Sequence, residues 1–324
     1  MNIEITTKCP LRCPQCYCSL EGGKDICLEK AVYWLEQGAQ AGVKEVELSG
    51  GETLCYPHLY DLVKAASSLG MVPNIAISGY NFTQETYDLL KESGIGGIFV
   101  SLNGSTEQVN QLSRDGYHYA LDALKLLNKI NHKDTYINWV MHSSNADDFP
   151  EMIKIAEEYH VENLIILGLK PNAAGLIETF PDYVQMTRMK DFIRKYRGPV
   201  KIRIETCYSP LLAMVSETKL FGNLNNGINK GCTAGLTTFN VNVDGLLSPC
   251  RHLELFERYE TFSDFWQKSV TLEKIRKSGD EDMALNCENC HYKNHCRPCL
   301  ASSVRNEEII PGNRWCPVSE YEHE

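Results

Sequence analysis

The sequence predicts an α/β fold built on a parallel sheet, and two observations carry that prediction. From Met1 to about Glu205, short β-branched runs alternate with stretches at helical spacing, six times in succession. Consecutive strand–helix–strand units require parallel strands joined by right-handed crossovers. Polar and glycine-rich residues then cluster just after the strands, on the face where such folds build their sites. Periodicity alone leaves a doubly wound sheet and a barrel both open.

The elements follow in order. Residues 2–7 read as a strand that ends in a cysteine loop. Residues 26–41 (ICLEKAVYWLEQGAQA) read as a helix with Leu28, Val32 and Leu35 on one face, stopped by Gly42, a residue tolerant of positive φ. Strands are predicted over 43–48, 72–77, 96–102, 135–141, 162–168 and 200–205. Helices are predicted over 58–69, 84–93, 117–130, 149–159 and 183–196. After Thr206 the alternation stops and cysteines return. TTFNVNV and LLSPC flank Asp244-Gly245, which reads as a hairpin with a two-residue turn.

The 324 residues suit one large domain plus a smaller one, or two of medium size. A net charge of −10 argues against a nucleic-acid partner gripped through its phosphates. No segment reaches the ~18 uninterrupted apolar residues of a membrane span, and the N-terminus lacks a signal peptide's apolar core. Fourteen cysteines without a secretory signal point to a reducing compartment, where such cysteines bind metal or react rather than pair. A cytoplasmic location is therefore expected.

The chemistry is concentrated at Cys9, Cys13 and Cys16, spaced C-x₃-C-x₂-C within KCPLRCPQCYCS. Pro10 and Pro14 favour a curled loop over a helix. Iron–sulfur clusters take cysteine thiolates and normally need four. Three on one loop suggest a four-iron cluster with one iron open. A zinc knuckle or a chance cluster of cysteines is the other reading.

This loop resembles that of the radical S-adenosylmethionine (radical SAM) enzymes. The resemblance implies a six-stranded partial (β/α) barrel, a TIM-like (β/α)6 architecture, whose open iron binds the amino and carboxylate groups of S-adenosylmethionine. It also implies a 5′-deoxyadenosyl radical as the reactive product. Gln15 departs from the aromatic residue often found before the third cysteine; Tyr17 follows that cysteine instead. Ser49-Gly50-Gly51-Glu52 matches the family's GGE, which contacts the methionyl amine. Ser78, Ser101 and Asn103 fall where family members hold the ribose and methionyl carboxylate, although Asp is commoner at the position of Asn103. Arg114 matches an arginine that many peptide-modifying members pair with that carboxylate. His142, Asn145 and Gly168 are expected only as pocket lining.

The second cysteine field has Cys232 and Cys250 bracketing the hairpin, then Cys287, Cys290, Cys296 and Cys299 as C-x₂-C-x₅-C-x₂-C, and finally Cys316. It resembles the SPASM domain of radical SAM enzymes that modify peptides and proteins; the family's last gap is usually three residues, here two. Read alone, this field would equally suit Cys₄ zinc. The resemblance implies two domains, 1–205 a radical SAM barrel and 206–324 a SPASM-type domain with two auxiliary clusters. Cys287, Cys290, Cys296 and Cys316 would hold one cluster; Cys232, Cys250 and Cys299 would hold the other, one ligand short. Cys207 or a substrate group would fill that gap. Cys18, Cys27 and Cys55 have no motif role and are expected as small buried hydrophobes.

The expected function is a radical SAM/SPASM peptide maturase with three 4Fe-4S clusters and S-adenosylmethionine, installing a thioether, C–C or C–O crosslink in a ribosomal peptide. An oxidase forming formylglycine, a peptide epimerase and, from another class, a zinc or iron–sulfur binding or electron-transfer protein are the alternatives. Partners would be a precursor peptide and an external flavodoxin- or ferredoxin-type electron donor. With the loop starting at Cys9, no winged-helix domain for a leader peptide is expected ahead of it, leaving the barrel mouth or a separate recognition protein for that task. No residue is assigned as general acid or base.

Overall fold

The computed structural model describes residues 1–18, 22–170, 180–216, 231–277, 287, 290–292, 296–302, 304–305, 308–309, 316 and 318. Seven strands, β1 (Asn2–Thr6), β2 (Glu45–Gly50), β3 (Val72–Ile77), β4 (Ile98–Ser101), β5 (Thr135–Met141), β6 (Asn163–Gly168) and β7 (Lys201–Ile204), lie side by side in chain order, all parallel. A doubly wound sheet reverses its order at a switch point. This one never does, so each crossover steps the same way and the sheet rolls toward a barrel. The barrel stays open. β1 gives its other edge to β8 (Asn240–Val241), which pairs back with β9 (Leu247–Ser248), so β7 and β9 are the end strands, β9 bridged on its outer side by Glu257.

Between the strands run α1 (Leu28–Gln40), α2 (Leu59–Ser68), α3 (Gln84–Glu92), α4 (Glu107–Gln111), α5 (Tyr117–Lys129), α6 (Phe149–Glu158) and α7 (Tyr183–Lys195). Alternate strand residues share a face. Ile3 and Ile5, Val46 and Leu48, Ile75 and Ile77, Ile98 and Val100 are fully or almost fully buried and join the helices in one core. The intervening residues, such as Glu4, Glu47, Asn74, Ser101 and Asn138, put polar groups on the opposite face. Parallel sheets usually carry apolar side chains on both faces; the polar inner face here marks a surface kept for binding. Trp139 is the largest fully buried side chain, packing 5.0 Å from Phe149 and donating its Nε1–H to the Asn103 carbonyl at 3.1 Å.

Departures from the sequence reading have local causes. In α1 the buried residues are Ala31, Trp34, Leu35 and Gly38, while Leu28 and Val32 are only partly covered. The indole of Trp34 claims the inward position. Past β7 come α8 (Ser209–Ser216), α9 (Phe262–Lys268) and α10 (Val270–Lys277), none of them predicted. α8 is buried at six residues from Ser209 to Val215 and so has no polar face to give it a period. The hairpin exists, but its turn is one residue longer than expected. Asn242 N–H bonds Leu246 O at 3.0 Å, enclosing Val243, Asp244 and Gly245, with Gly245 at φ +76°. Asn242 Oδ1 stabilises this longer loop by accepting from Asp244 N and Leu246 N. Cys27, expected to be buried, is exposed and donates to Glu29 Oε2 at 2.8 Å. None of the fourteen cysteines forms a disulfide. No helix among the described residues is long and apolar enough to cross a membrane.

Glu4, on the inner face of β1, generates a pH dependence. Burial raises its carboxyl to about 7, against the opposing pull of Arg251 and a bond with Asn240. The folded chain therefore keeps a proton that the unfolded chain releases. The stability linked to Glu4 is complete below about pH 4.5 and is lost as pH rises through about 7. Glu4→Gln should leave the urea midpoint almost unchanged near pH 4.5 and raise it above pH 7; equal shifts at both would contradict this assignment.

Candidate functional site

The C-terminal ends of the strands open on a cavity of about 1090 Å³, including the open solvent at its mouth. Cys9, Cys13 and Cys16 line it, as do all seven further residues singled out in the sequence: Gly50, Gly51, Glu52, Ser78, Ser101, Asn103 and Arg114. Gly168 lines it too. His142 and Asn145 do not, a correction to their reading as pocket lining. Asn145 instead bonds main-chain groups of His142, Val140 and Asn103. The His142 ring is buried, which lowers its basicity to about 4.

Within the cysteine loop, Cys16 N bonds Cys13 O at 3.0 Å and Arg12 Nη1 donates to Cys9 O at 2.8 Å and Leu11 O at 2.7 Å, but only the first is a main-chain bond. The loop's shape comes from the segment after β4. Gln15 N bonds Ser113 O at 3.1 Å, Arg12 N bonds Asp115 Oδ2 at 2.8 Å, and Asp115 N points at Cys13 Sγ at 3.4 Å. Asn103 joins these parts. Its Nδ2 donates to Gln15 Oε1 (2.7 Å) and Ser113 Oγ (2.8 Å), while its Oδ1 accepts from Val140 N (3.0 Å). Both amide hydrogens are thus committed to the protein. Expected as a ribose contact, Asn103 serves the wall as a buried tie.

Gly50 and Gly51 are dictated by space. A Cβ on Gly50 (φ +130°) would lie 2.2 Å from Thr6 O, and one on Gly51 would lie 2.3 Å from Lys8 O. Only glycines allow Gly51 N to reach Thr6 O at 2.7 Å and Glu52 N to reach Lys8 O at 2.8 Å. These bonds seat Glu52 beside the start of the cysteine loop. Its buried carboxylate accepts from Ser78 N at 2.9 Å, the Ser78 hydroxyl and Leu54 N at 3.3 Å. Burial raises its pKa; those bonds and Arg114 oppose the rise.

The charges suit a metal cluster and a zwitterion. Cys9, Cys13 and Cys16 lie close enough to repel one another as thiolates. Burial pushes Cys9 up to about 11 and raises Cys13, whereas a bond with Cys18 brings Cys16 down to about 6, helped by Arg114 and Arg12. A cation shared by the three sulfurs would relieve that repulsion. Arg114 Nε is buried with no hydrogen-bond partner, an N–H ready for a carboxylate. Glu52, short of a cation, suits an amine. An amino-acid moiety carries both groups.

Sequence reading missed Gln15, Asn110, Lys170, Glu205, Arg251 and His252. Asn110 bonds both Asn103 N and Arg114 O, fixing the arginine's backbone. Lys170 and Glu205 follow β6 and β7, a position that could have flagged them, and pair at 2.6 Å. Arg251 and His252 reach the cavity from beyond β9 and carried no local signal.

Two more groups of sulfurs lie beyond the cavity. Cys207, Cys232, Cys250 and Cys299 line a second cavity of about 800 Å³. Burial pushes Cys250 up to about 12, with Cys232 and Cys207 adding to the rise. Cys296, raised to about 12 chiefly by burial, lies near Cys316, Cys287 and Cys290 and donates to Ser209 Oγ at 3.1 Å. Among the described residues, no three His, Cys, Asp or Glu side chains converge on a point fit for a single metal ion.

Residues 3–156 match the Radical SAM superfamily model. Over 312 residues the chain is 25% identical to the PqqA peptide cyclase of Bradyrhizobium diazoefficiens, covering 90% of this chain and 78% of that protein. Its fold superposes on SuiB of Streptococcus suis bound to precursor peptide SuiA, with a TM-score of 0.79 and 17% identity over 97% of this chain and 75% of that one. It also superposes on anSMEcpe with bound AdoMet and a Kp18Cys peptide, with a TM-score of 0.75 and 18% identity over 99% and 94%. At such identities the structural likeness speaks for the fold alone.

The Asn103 tie is testable. Asn103→Ala leaves buried partners unpaired, at about 1–3 kcal/mol each. Asn103→Asp keeps an acceptor for Val140 N and lets the Ser113 hydroxyl and a turned Gln15 amide donate. Denaturant unfolding should show Ala losing clearly more stability than Asp; equal losses would remove the tie from the account.

Proposed function

Residues 3–156 match the Radical SAM superfamily model, and we propose that the chain is a peptide maturase of that kind, which cleaves S-adenosylmethionine and installs an intrapeptide crosslink. The observation that carries this is one cavity wall shared by Cys9, Cys13, Cys16, Glu52 and Arg114. Peptide as substrate is supported by the relative named a peptide cyclase. In this reading residues 1–205 form the barrel and 206–324 an auxiliary-cluster domain.

Cys9, Cys13 and Cys16 would hold a four-iron cluster that, with S-adenosylmethionine, supplies a 5′-deoxyadenosyl radical able to take hydrogen from carbon. The chain's own residues bind and orient. Glu52 receives the methionyl amine and Arg114 the methionyl carboxylate as charge-assisted bonds. Gly50 and Gly51 bring the main chain close to the ligand, and Ser101 and Ser78 line the wall beside it. Asn103 keeps the cysteine loop from drifting, which matters because small misplacements of reacting groups cost large factors in rate. The cavity wall shields the reacting carbon from water. The peptide radical would then close a thioether, carbon–carbon or carbon–oxygen bond and lose its second hydrogen as a proton and an electron, the electron going to an auxiliary cluster. An external electron donor of flavodoxin or ferredoxin type would supply the electron that starts S-adenosylmethionine cleavage, and the leader would bind at the barrel mouth or on a separate recognition protein. Cys287, Cys290, Cys296 and Cys316 would hold one auxiliary cluster, and Cys232, Cys250 and Cys299 contribute to another.

Anaerobically reconstituted protein with reductant and S-adenosylmethionine should form 5′-deoxyadenosine. Cys9→Ala/Cys13→Ala/Cys16→Ala should reduce it to background. A co-expressed substrate peptide should lose the mass of two hydrogens only with the unsubstituted chain. Continued cleavage by the triple variant, or none by the unsubstituted chain, would refute the reading.

A further inference from the structure

Cys207 follows β7 and Cys250 follows β9, the two end strands of the sheet. Both line the second cavity together with Cys232 and Cys299. The Cys207 thiol lies within hydrogen-bond reach of Cys299 and close enough to interact with Cys232 and Cys250. The other unassigned thiols, Cys18, Cys27 and Cys55, line no part of this cavity.

Two of the four sulfurs accept hydrogen bonds, and a third cysteine is placed through its backbone. Lys170, at the end of β6, donates its Nζ to Cys207 Sγ at 3.1 Å and to Glu205 Oε2 at 2.6 Å, aiming the thiol inward. Cys232 N bonds Arg297 O at 3.0 Å, drawing that cysteine beside the turn that carries Cys299. Gly231 makes this approach possible, since a Cβ there would lie 2.1 Å from Arg297 O. His252 N points at Cys250 Sγ at 3.4 Å.

We propose that Cys207 is the fourth protein ligand of the iron–sulfur cluster held by Cys232, Cys250 and Cys299. That cluster therefore offers no open iron to a substrate and ties together the two end strands of the sheet. The inference rests on the auxiliary-cluster reading above and sharpens it. Lys170 is a positioning residue: its Nζ holds the Cys207 sulfur from the wall of the reaction cavity, which it also lines. A substrate thiol would then have to react in the first cavity without anchoring to this cluster.

The test uses the full-length Cys9→Ala/Cys13→Ala/Cys16→Ala chain, reconstituted without oxygen, so that only auxiliary iron is counted. Cyanide is the probe for an open iron. The paramagnetic resonance of the reduced parent should not change when cyanide is added, because no coordination position is free. Cys207→Ala in that background should lose about half of the iron, one cluster of two, or gain a cyanide-sensitive signal. Hydrogen exchange in β7 and β9 should rise with it. Cys55→Ala should do none of these. A cyanide response in the parent overturns the proposal however the Cys207 variant folds. So do unchanged iron, spectrum and exchange in Cys207→Ala, or zinc in place of iron. Cleavage of S-adenosylmethionine by the unsubstituted chain is measured apart, so failure here leaves the reading of the first cavity standing.

Discussion

The carboxamide of Asn103 has no exposure to solvent and bonds in three directions, to Gln15 in the cysteine loop, to Ser113 ahead of α5 and to the main chain of Val140 in β5. Two prolines deny the cysteine loop a helical or ladder structure, so its shape must come from outside. Asn103 shares that outside support with Ser113 and Asp115 and links it to the sheet. A buried amide with every bond made contributes only about 1 kcal/mol per bond, but leaving its partners unpaired costs more than that. The neighbouring Arg114 side chain, whose backbone Asn110 already holds, faces the cavity with an unpartnered N–H.

The electrostatics follow from where the chain stops being a closed barrel. Glu205, Arg251 and His252 line both cavities, and Lys170 touches both the first cavity and the sulfur of Cys207. The charges at the open seam are paired: Lys170 with Glu205, and Arg251 with Glu47 at 2.9 Å and over the Tyr17 ring at 5.6 Å. Pairing lets charged groups stay buried where they would otherwise neutralise. The polar inner face of the sheet, the seam and the sulfur cavities thus form one continuous region at the strand ends.

Much of this was legible in the sequence because its signals are local. β3 and β5 begin and end where period-two patterns begin and end, and the glycines of SGGE mark a close approach that the structure makes explicit at Thr6 O and Lys8 O. Ten cysteines sort into groups by spacing and family likeness; in the structure Cys9, Cys13 and Cys16 line one cavity, and Cys232, Cys250 and Cys299 line another together with Cys207. What stayed hidden depends on residues distant in sequence. Asn103 looked like a ligand contact because its bonds to Gln15 and Val140 span 88 and 37 positions. α8 was silent because a helix buried all round has no stripe. Lys170 and Glu205 became a unit only when β6 and β7 paired.

The central claim is that the cavity over the strand ends presents a three-thiolate cluster directly to an amino-acid zwitterion held by Glu52 and Arg114. Electron paramagnetic resonance of the reduced, reconstituted chain, recorded with and without S-adenosylmethionine labelled with nitrogen-15 in its methionyl amine, tests it most directly. The account predicts an altered spectrum with hyperfine coupling to the labelled nitrogen. A spectrum indifferent to the ligand, with no such coupling, would contradict it.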